Sequence, residues 1–310
     1  MTSMTIRDLD PERDAAGVVA VIRDALPTIV ISPASWLHRE QTVPERSRQR
    51  GFVAEVDGRI VGRALGRLEN LFSEDTELGF VLVTVAGNHR RRGIGAALYD
   101  AAIQHATALG PTRLLTSVYE DEDGFRFARA RGFKEEREQQ EAVLDPRTVT
   151  ELPAAGVDLR PVADVDPRLV YTADLEATRD MPATEEITAM PYEEWERHTI
   201  QHPLFTADGS FVAMVNGVAA AVSLLCVDTE SGRSVNMFTG TMRAYRGRGL
   251  GLAVKLGSIH WAAEHGITTM VTINDAENAP MLAINRRLGY RPSGRSFDYV
   301  KDIGGDEAGV

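Results

Sequence analysis

Apolar residues in this chain alternate between helical and extended spacing, and the same series of patterns occurs twice. In residues 12–25 apolar positions recur every three or four residues, which predicts an amphipathic helix after a short strand over residues 5–9. A further helix is expected over residues 32–41. The apolar run over residues 52–64 contains Asp57-Gly58, a pair that easily adopts the positive φ angles of a tight turn, so it predicts a hairpin.

The series continues through both halves of the chain. In the first half we expect a strand, a helix, a strand and a short helix over residues 78–85, 93–109, 113–119 and 124–131. In the second half we expect a strand over residues 157–160, helices over residues 167–178 and 192–200, and a hairpin at Asn216-Gly217. A strand, a helix, a strand and a helix are then expected over residues 235–241, 250–264, 269–273 and 280–287. This shared order predicts two α+β units, each with a mixed sheet.

Matching residues in the two halves are separated by a nearly constant interval. Arg90 and Arg246 are 156 positions apart, and Phe133 and Tyr290 are 157 positions apart. An interval of about half the 310-residue length indicates a duplicated domain. Each copy is long enough to bury a core of its own.

A cluster of chain-breaking residues marks the expected linker. Asp145-Pro146 and Leu152-Pro153 precede the predicted strand over residues 157–160. We therefore predict an N-terminal domain over residues 1–152 and a C-terminal domain over residues 153–310.

Composition and net charge limit the classes of protein to which this chain can belong. The chain is 43% apolar and 25% charged, as in globular domains, and its net charge of −11 argues against binding to nucleic-acid phosphates. It lacks an apolar signal segment at its start and any uncharged run of ~18 apolar residues, so we expect a cytoplasmic protein without a membrane partner. The single cysteine, Cys226, lies in an apolar stretch and is expected in the core.

An Arg/Gly-rich loop stands between a predicted strand and a predicted helix in both halves. Such a loop offers main-chain N–H groups, the positive end of a helix dipole and cationic side chains to one anion, which suits a pyrophosphate. A dinucleotide-binding interpretation fails, because the third glycine and the acidic residue about 20 positions further on are not evident. Both loops have the pattern Arg-x-x-Gly-x-Gly, formed by Arg90, Gly93, Gly95 and by Arg246, Gly249, Gly251.

This pattern resembles the coenzyme A loop of the GNAT acyltransferase family. Each half also closes with the family's Gly-aromatic ending, Arg131-Gly132-Phe133 and Leu288-Gly289-Tyr290. The resemblance covers nearly the whole chain, and it implies two tandem GNAT domains, each with a mixed, mostly antiparallel twisted sheet flanked by helices. It also implies acetyl-CoA as the co-substrate, without a metal.

The resemblance assigns coenzyme contacts to both halves. In the second half, Thr239-Gly240-Thr241 would offer main-chain groups to the pantetheine arm and to the thioester oxygen, and Asn274 and Asn278 would bind the pantetheine amides. The first half has Glu120 and Asp121 in place of the asparagines, so we expect it to be the weaker catalyst. The expected coenzyme-binding residues are Thr239, Gly240, Thr241, Arg246, Gly247, Arg248, Gly249, Leu250, Gly251, Leu252, Asn274 and Asn278, and in the first half Val83, Thr84, Val85, Arg90, Arg91, Arg92, Gly93, Ile94, Gly95 and Ala96.

The candidate catalytic residues lie in the second half. The acceptor amine must lose a proton, and Asp180 and Glu185, with Glu186, are candidate bases in the acidic loop after the first helix. Asn285 occupies the position where many GNAT enzymes have a tyrosine that protonates the departing thiolate. A thiolate is a good leaving group, so a proton from water or a nearby hydroxyl would suffice. An acidic loop on the solvated surface is the alternative interpretation of the carboxylates.

The architecture is similar to that of the tandem acyltransferases that include mycothiol synthase, in which the C-terminal unit does the chemistry, and equally to antibiotic N-acetyltransferases of similar build. It implies an N-acetyltransferase that moves an acetyl group from acetyl-CoA directly to the amine of a small molecule, with catalysis in the second half. No Cys or Ser lies in a nucleophile motif, so no covalent intermediate is expected. The alternative is a non-catalytic acyl-CoA-binding sensor. The chain is expected to be a monomer with an internal pseudo-dimer, or a homodimer.

Overall fold

The computed structural model describes residues 4–69, 77–179 and 190–304. The chain forms two compact units, of which the first is discontinuous in sequence: unit 1 comprises Met1–Glu138 and Ser296–Val310, and unit 2 comprises Gln139–Arg295. The boundary predicted between residues 152 and 153 follows chain order alone. That boundary stays a prediction about the duplicated segments. The compact units are divided elsewhere, between residues 138 and 139 and between residues 295 and 296, and each division falls within a strand.

The helices and strands follow the predicted order in both halves. The first half contains β1 (Met4–Asp8), α1 (Pro11–Ala25), α2 (Pro33–Thr42), β2 (Arg50–Val56), β3 (Arg59–Leu68), β4 (Leu78–Val85), α3 (Ile94–Ala108), β5 (Arg113–Tyr119), α4 (Glu122–Arg129) and β6 (Lys134–Leu144). The second half contains β7 (Asp158–Pro161), α5 (Pro167–Thr178), α6 (Tyr192–His198), β8 (Phe211–Val215), β9 (Val218–Asp228), β10 (Arg233–Thr241), α7 (Leu250–Glu264), β11 (Thr269–Asp275), α8 (Ala279–Leu288) and β12 (Arg291–Asp302).

Each unit has a mixed, mostly antiparallel sheet, as predicted. In unit 1 the strand order is β1-β2-β3-β4-β5-β12, and β4 and β5 are the parallel pair. In unit 2 the order is β7-β8-β9-β10-β11-β6, and β10 and β11 are the parallel pair. The predicted α+β class is confirmed.

Helices cover both faces of each sheet because neighbouring strand residues point to opposite faces. In unit 1, Val53 packs with α1 and α2, while Ala54 packs with α3 and α4. In unit 2, Leu224 packs with α5 and α6, and Leu225 packs with α7. Within the described residues, no helix is long and apolar enough to cross a membrane.

Local signals in the sequence account for several helix ends. Asp10 and Ser32 cap α1 and α2 by accepting hydrogen bonds from main-chain N–H groups, and a proline follows each cap. The α8 helix begins after the cap residue Asn278 and ends at Gly289, whose φ of 87° favours glycine. The positions of α1, α2 and α8 are therefore encoded close to their own ends.

Candidate active site

The two parallel strands of each unit pair briefly and then separate. In unit 1, β4 and β5 pair at Leu78–Phe80 with Arg113–Leu115, and both strands continue to Val85 and Tyr119. In unit 2, β10 and β11 pair at Arg233–Val235 with Thr269–Val271, and continue to Thr241 and Asp275. Beyond the paired residues, the facing strand edges have main-chain groups that suit the amides of an extended ligand.

The strand separation in unit 2 coincides with a β-bulge, and the one in unit 1 does not. In β10 the register against β9 shifts between Asn236 and Phe238, which leaves Met237 as the extra residue. In β4 the register against β3 runs without a shift from Gly79 to Val85. A bulge re-aims the strand that follows it, so β10 differs from β4 in the direction of the segment Thr239-Gly240-Thr241.

A buried polar network holds the bulge in place. The Asn236 amide donates to Ser223 Oγ at 2.9 Å and accepts a hydrogen bond from Thr239 Oγ1 at 2.6 Å. Ser258 Oγ of α7 donates to Ser223 Oγ at 3.1 Å. Asn236, Ser223 and Ser258 are all buried. Satisfied polar networks of this kind fix a single local conformation, so β10, β9 and α7 are locked together at the bulge.

The loop after β10 leads to an uncapped helix N-terminus. Gly247 and Gly249 both have a φ of 74°, a left-handed conformation that favours glycine, and a Cβ at either position would contact nothing within 4 Å among the described residues. The guanidinium of Arg246 donates through Nε to the Thr241 carbonyl oxygen at 3.1 Å. No side chain in the described part of the chain caps α7, so its first N–H groups and the open glycine surface suit an anionic ligand.

The loop after β4 has the same path but different chemistry. Arg91 adopts a φ of 62° at the position that corresponds to Gly247, although left-handed backbone is unfavourable for a residue with a Cβ. Arg90 donates to the Val85 carbonyl oxygen at 3.2 Å and forms an ion pair with Asp121 at 3.0 Å. In unit 2 the residue that corresponds to Asp121 is the neutral Asn278. The first loop is therefore the more strained, and its arginine has a carboxylate partner.

The predicted coenzyme residues fall into two groups. Most are exposed or half-buried around the loops and strand ends, where their main-chain groups or side chains are accessible. Ile94 and Leu250 are buried in the cores, and Leu252 packs against the core of unit 2. At these three positions any coenzyme contact would come from the main chain. Arg248 lies over the ring of Tyr245, with 5.3 Å from its Cζ atom to the ring centroid.

Three asparagines predicted to have functional roles are placed differently. Asn278 accepts a hydrogen bond from Met281 N as the cap of α8. Asn285 is buried, and its amide donates to Asn274 Oδ1 at 2.6 Å. The half-buried Asn274 also accepts from Thr272 Oγ1 at 3.3 Å. The structure therefore brings Asn274 and Asn285 together, and Asn285 holds Asn274 in position. The predicted catalytic role of Asn285 stays a prediction.

A buried lysine completes this group. Lys255 of α7 is 1% exposed, and its ammonium donates to Asn285 Oδ1 at 2.6 Å. The same nitrogen lies 4.9 Å from the centroid of the Tyr290 ring, a cation–π contact. Burial lowers the pKa of Lys255 to about 7. Sequence reasoning missed Lys255, because an isolated lysine in a helix is usually exposed.

The carboxylates predicted as bases, Asp180, Glu185 and Glu186, all lie outside the described residues. Asp174 of α5, which sequence reasoning missed, is half-buried and accepts hydrogen bonds from Trp195 Nε1 at 2.5 Å and from Thr178 Oγ1 at 3.2 Å. Burial raises the pKa of Asp174 to about 6, and these hydrogen bonds oppose the rise. An ionised carboxylate near neutral pH suits a general base.

The α5 helix lies directly over the strand segment expected to bind the thioester. A Cβ at Gly240 would lie 2.5 Å from the Cβ of Ala177 and 2.7 Å from the Phe238 ring, which is too close for either contact. Gly240 therefore permits the close approach of α5 to β10. Asp174 precedes Ala177 by three residues, so it lies on the same side of the helix, one turn nearer its start.

Unit 1 contains a cleft of about 940 Å³. It extends from the Arg/Gly loop past the separated ends of β4 and β5 to the region of α1 and α2. Most of the coenzyme residues predicted for the first half line it, whereas Arg92 and Ile94 do not. The predicted residues that line it are Val83, Thr84, Val85, Arg90, Arg91, Gly93, Gly95 and Ala96.

Comparison with known proteins identifies this arrangement. Residues 21–133 match the model of the acetyltransferase (GNAT) family. The chain carries a GNAT domain in a tandem GNAT fold. The family match lies within unit 1. The predicted resemblance to the GNAT family is thus confirmed, and the family supports acyl transfer in general. A comparison with curated proteins found no match.

Solved structures match both halves together. A tandem GNAT protein from the clavulanic acid biosynthesis pathway is 20% identical, with a TM-score of 0.74 over 98% of this chain and 100% of that one. A GCN5-related N-acetyltransferase from Sphaerobacter thermophilus is 18% identical, with a TM-score of 0.69 over 96% of this chain and 95% of that one. A glucosamine N-acetyltransferase region of a fungal multi-domain enzyme is 15% identical, with a TM-score of 0.64 over 96% of this chain and 38% of that one. At these identities the likeness concerns the fold.

Proposed function

We propose that the chain is an acetyl-CoA-dependent N-acetyltransferase of small-molecule amines, with catalysis in unit 2. The observation that carries this proposal is the combination found in β10: a bulge locked by Asn236, a strand end that separates from β11, and a glycine loop that opens α7. One of the similar structures is a glucosamine N-acetyltransferase region, and glucosamine is a small amine, which supports a small acceptor. A cytoplasmic location is part of the same proposal.

In the proposed complex, the loop residues hold the coenzyme pyrophosphate. Arg246 supplies a cation, and the N–H groups that follow Gly249 at the start of α7 supply hydrogen-bond donors. The main chain of Thr239-Gly240-Thr241 faces the pantetheine arm. The Asn274 amide, oriented by Asn285, donates to a pantetheine carbonyl oxygen.

The reaction is direct transfer. The acceptor nitrogen attacks the thioester carbonyl carbon, so a C–N bond forms while the C–S bond breaks and its electron pair goes to sulfur. A main-chain N–H of the β10 segment stabilises the oxyanion. The proton released by nitrogen goes to a carboxylate, for which Asp174, Asp180 and Glu185 are the candidates, and the thiolate takes a proton from water.

The experiment that tests the proposal compares matched loop variants. Arg246→Ala with Gly249→Val should raise the KM for acetyl-CoA and lower thiol release with an amine acceptor by at least about 100-fold, since it removes a cation and blocks backbone approach. The matched variant, Arg90→Ala with Gly93→Val, should keep most of the turnover. Equal loss in both variants would assign catalysis to both units, and unchanged kinetics in the first would refute the coenzyme assignment.

One observation favours a second candidate function, a non-catalytic acyl-CoA sensor. Asn285 stands where the family's proton donor is common, and an amide cannot serve as a general acid. Its side chain is also fixed between Lys255 and Asn274. A sensor would bind acetyl-CoA with the same loop dependence but would release no thiol with any amine in a broad panel. Acceptor-dependent thiol release above the hydrolysis rate would eliminate it.

A further inference from the structure

Two arginines line the unit 1 cleft at a distance from its Arg/Gly loop. Arg63 lies in β3 directly opposite Thr84 of β4, so the two side chains share a face of the sheet. Arg39 lies in α2, and both arginines line the same cleft. They are therefore placed beside the strand segment that the coenzyme resemblance assigns to the pantetheine arm.

Arg63 is buried without a contacting counter-ion among the described residues. Its side chain is 8% exposed, and its Nε atom has no hydrogen-bond partner there. Burial lowers the pKa of Arg63 to about 10, and the charge of Arg39 adds to that effect, while the charge of Glu40 opposes it. A buried cation without a contacting partner is costly, so this guanidinium is poised for an anion that enters the cleft.

Arg39 lies near enough to Arg63 for its charge to lower the pKa of Arg63. Its side chain is exposed to the cleft, and the described residues form no hydrogen bond or ion pair with its guanidinium. The neighbouring Arg67, by contrast, donates to Glu69 at 2.7 Å and lies over the Phe80 ring. Two arginines thus face the cleft, while the third is already neutralised.

The carboxylates near this end of the cleft form no ion pair with Arg39 or Arg63 among the described residues. Three arginines, Arg39, Arg63 and Arg67, are near two carboxylates, Glu40 and Glu69. Glu40 already accepts a hydrogen bond from Gln49 at 2.7 Å. Glu120 lines the same cleft, so these carboxylates repel a ligand with one negative charge less than they repel a dianion.

At the other end of the cleft, beside the Arg/Gly loop, the arginines are paired with carboxylates. Arg90 pairs with Asp121 at 3.0 Å, and Arg91 pairs with Asp123 at 3.6 Å. Asp24, which also lines the cleft, accepts a hydrogen bond from Gly87 N at 2.6 Å. Arg90 and Arg91 therefore have carboxylate partners, whereas Arg39 and Arg63 form no ion pair among the described residues.

We propose that Arg39 and Arg63 form a subsite in unit 1 that binds the carboxylate of a small organic acid. A carboxylate presents two oxygens to a guanidinium fork, and Glu40 and Glu120 repel its single charge less than they would repel a phosphate dianion. The apolar part of the acid lies against Leu26, Ile29, Phe80 and Leu82, which line the cleft. This subsite is separate from the proposed catalytic site of unit 2, and its occupation requires no acyl transfer.

Calorimetric titration of the full chain tests the subsite directly. The probes are acetate, butyrate and benzoate, each matched with its uncharged amide, and inorganic phosphate. We expect butyrate and benzoate to bind with a stoichiometry of one, their amides to bind at least about 10-fold more weakly, and Arg63→Met to weaken carboxylate binding by about 10- to 100-fold, the range for a lost charge-assisted hydrogen bond. Arg39→Met should weaken it less, because that side chain is more exposed.

Three controls keep the test decisive. Arg59→Met removes an exposed arginine from the same strand and should leave binding unchanged. Arg63→Met should unfold at a temperature no lower than the wild type, since it removes an unpaired buried charge. Arg246→Ala should keep full carboxylate binding even if it abolishes turnover, which separates this subsite from the proposed function. Any of three results would overturn the proposal. The amides could bind as tightly as the acids, the chain could prefer phosphate, or Arg63→Met could bind the carboxylates as tightly as the wild type.

Discussion

Lys255 is a cation inside the core of unit 2, and its titration should be visible in the stability of the fold. Its pKa is lowered by burial to about 7 from 10.5. Between these values the unfolded chain holds a proton that the folded chain has released. The free energy of unfolding contributed by Lys255 therefore rises with pH from about 7 to 10.5, by about 1.4 kcal/mol for each pH unit.

We predict that the pH dependence of stability changes in Lys255→Met. Relative to this variant, the wild type should gain unfolding free energy as the pH is raised from about 7 to about 10, and the difference should be constant below about pH 6. Urea denaturation at a series of pH values measures it. Lys134→Met, at an exposed position, is the control. Parallel curves for the wild type and Lys255→Met would show that the lysine titrates normally.

In the proposed reaction, Asp174 is the described residue that we expect to accept the proton of the acceptor amine. Its pKa of about 6, raised by burial, predicts that kcat rises with pH and levels off above about pH 7, because the base must be ionised. The rise of kcat below about pH 7 is the acidic limb of the pH–rate profile. We predict that Asp174→Asn abolishes this limb and lowers kcat by about 100-fold. The pH–rate profile is the measurement.

A second variant separates catalysis from packing. Trp195→Phe keeps an aromatic ring but removes the hydrogen bond to Asp174, so the pKa of Asp174 should rise and the acidic limb should shift to higher pH. A merely structural Asp174 would leave the limb in place. If the limb persists in Asp174→Asn, Asp180 and Glu185 become the bases to test.

The cap residues of α4 and α8 distinguish the proposed coenzyme sites of the two units. Asp121 at the cap of α4 pairs with Arg90, whereas Asn278 caps α8. We predict that Asp121→Asn tightens coenzyme A binding to unit 1 by about threefold to tenfold at low salt, because it removes a negative charge near the phosphates and frees a cation. Asparagine is also a good helix cap, so α4 should persist.

The reciprocal change provides the control for this prediction. Asn278→Asp should weaken coenzyme A binding to unit 2 by a similar factor, and both effects should diminish at high salt. Two-site calorimetric titrations at low and high salt measure both changes. Salt-independent affinities, or opposite signs, would show that the cap charge does not reach the bound phosphates.

The contact between α5 and β10 depends on the absence of a side chain at one position. We predict that Gly240→Ala lowers the unfolding free energy of unit 2 by about 1–3 kcal/mol, the usual cost of overpacking, because the new Cβ would clash with Ala177 and Phe238. It should also lower kcat by moving α5 away from the strand. Gly217→Ala, at a hairpin turn with open space but a φ of 81°, is a strain control that should leave kcat unchanged.

The sequence predicted most elements because their signals are local. The helices α1, α2 and α8 have caps and apolar stripes, and the two Arg/Gly loops have glycines at left-handed positions. The strands β6 and β12 were not predicted, since β6 has a largely charged sequence and β12 contains proline and glycine near its start. Their positions depend on partners far away in the chain, β11 and β5.

The positions of residues in the candidate site were predictable to a similar extent. The loops and the asparagines on α8 could be recognised from spacing, whereas the surroundings of each side chain could not. Lys255 and Arg63 look like ordinary surface cations in the sequence, and only the packing of α7 and β3 shows that they are buried. The importance of Asp174 likewise depends on Trp195, which is 21 residues away.

At the scale of the whole molecule, each compact unit contains a strand from the opposite half of the chain. Phe297 and Tyr299 of β12 are buried in the core of unit 1, where Phe125 packs against both rings at centroid distances of 5.2 and 6.2 Å. Leu144 of β6 is buried in the core of unit 2. A chain cut at the predicted boundary therefore leaves each half without one strand of its compact unit.

We predict that segments 1–152 and 153–310 do not fold stably when produced separately, although each contains a full set of sequence-predicted elements. Each would lack a core strand, and losing one large aromatic side chain from a core already costs about 3–5 kcal/mol, comparable with the stability of a domain. Circular dichroism and thermal unfolding of the separate and mixed segments measure the effect, and mixing should restore cooperative unfolding. In the intact chain, Phe297→Ala should destabilise unit 1 strongly, whereas Leu152→Ala, at a residue that is 72% exposed, should not. Cooperative unfolding of segment 1–152 alone would show that the first half is complete without β12.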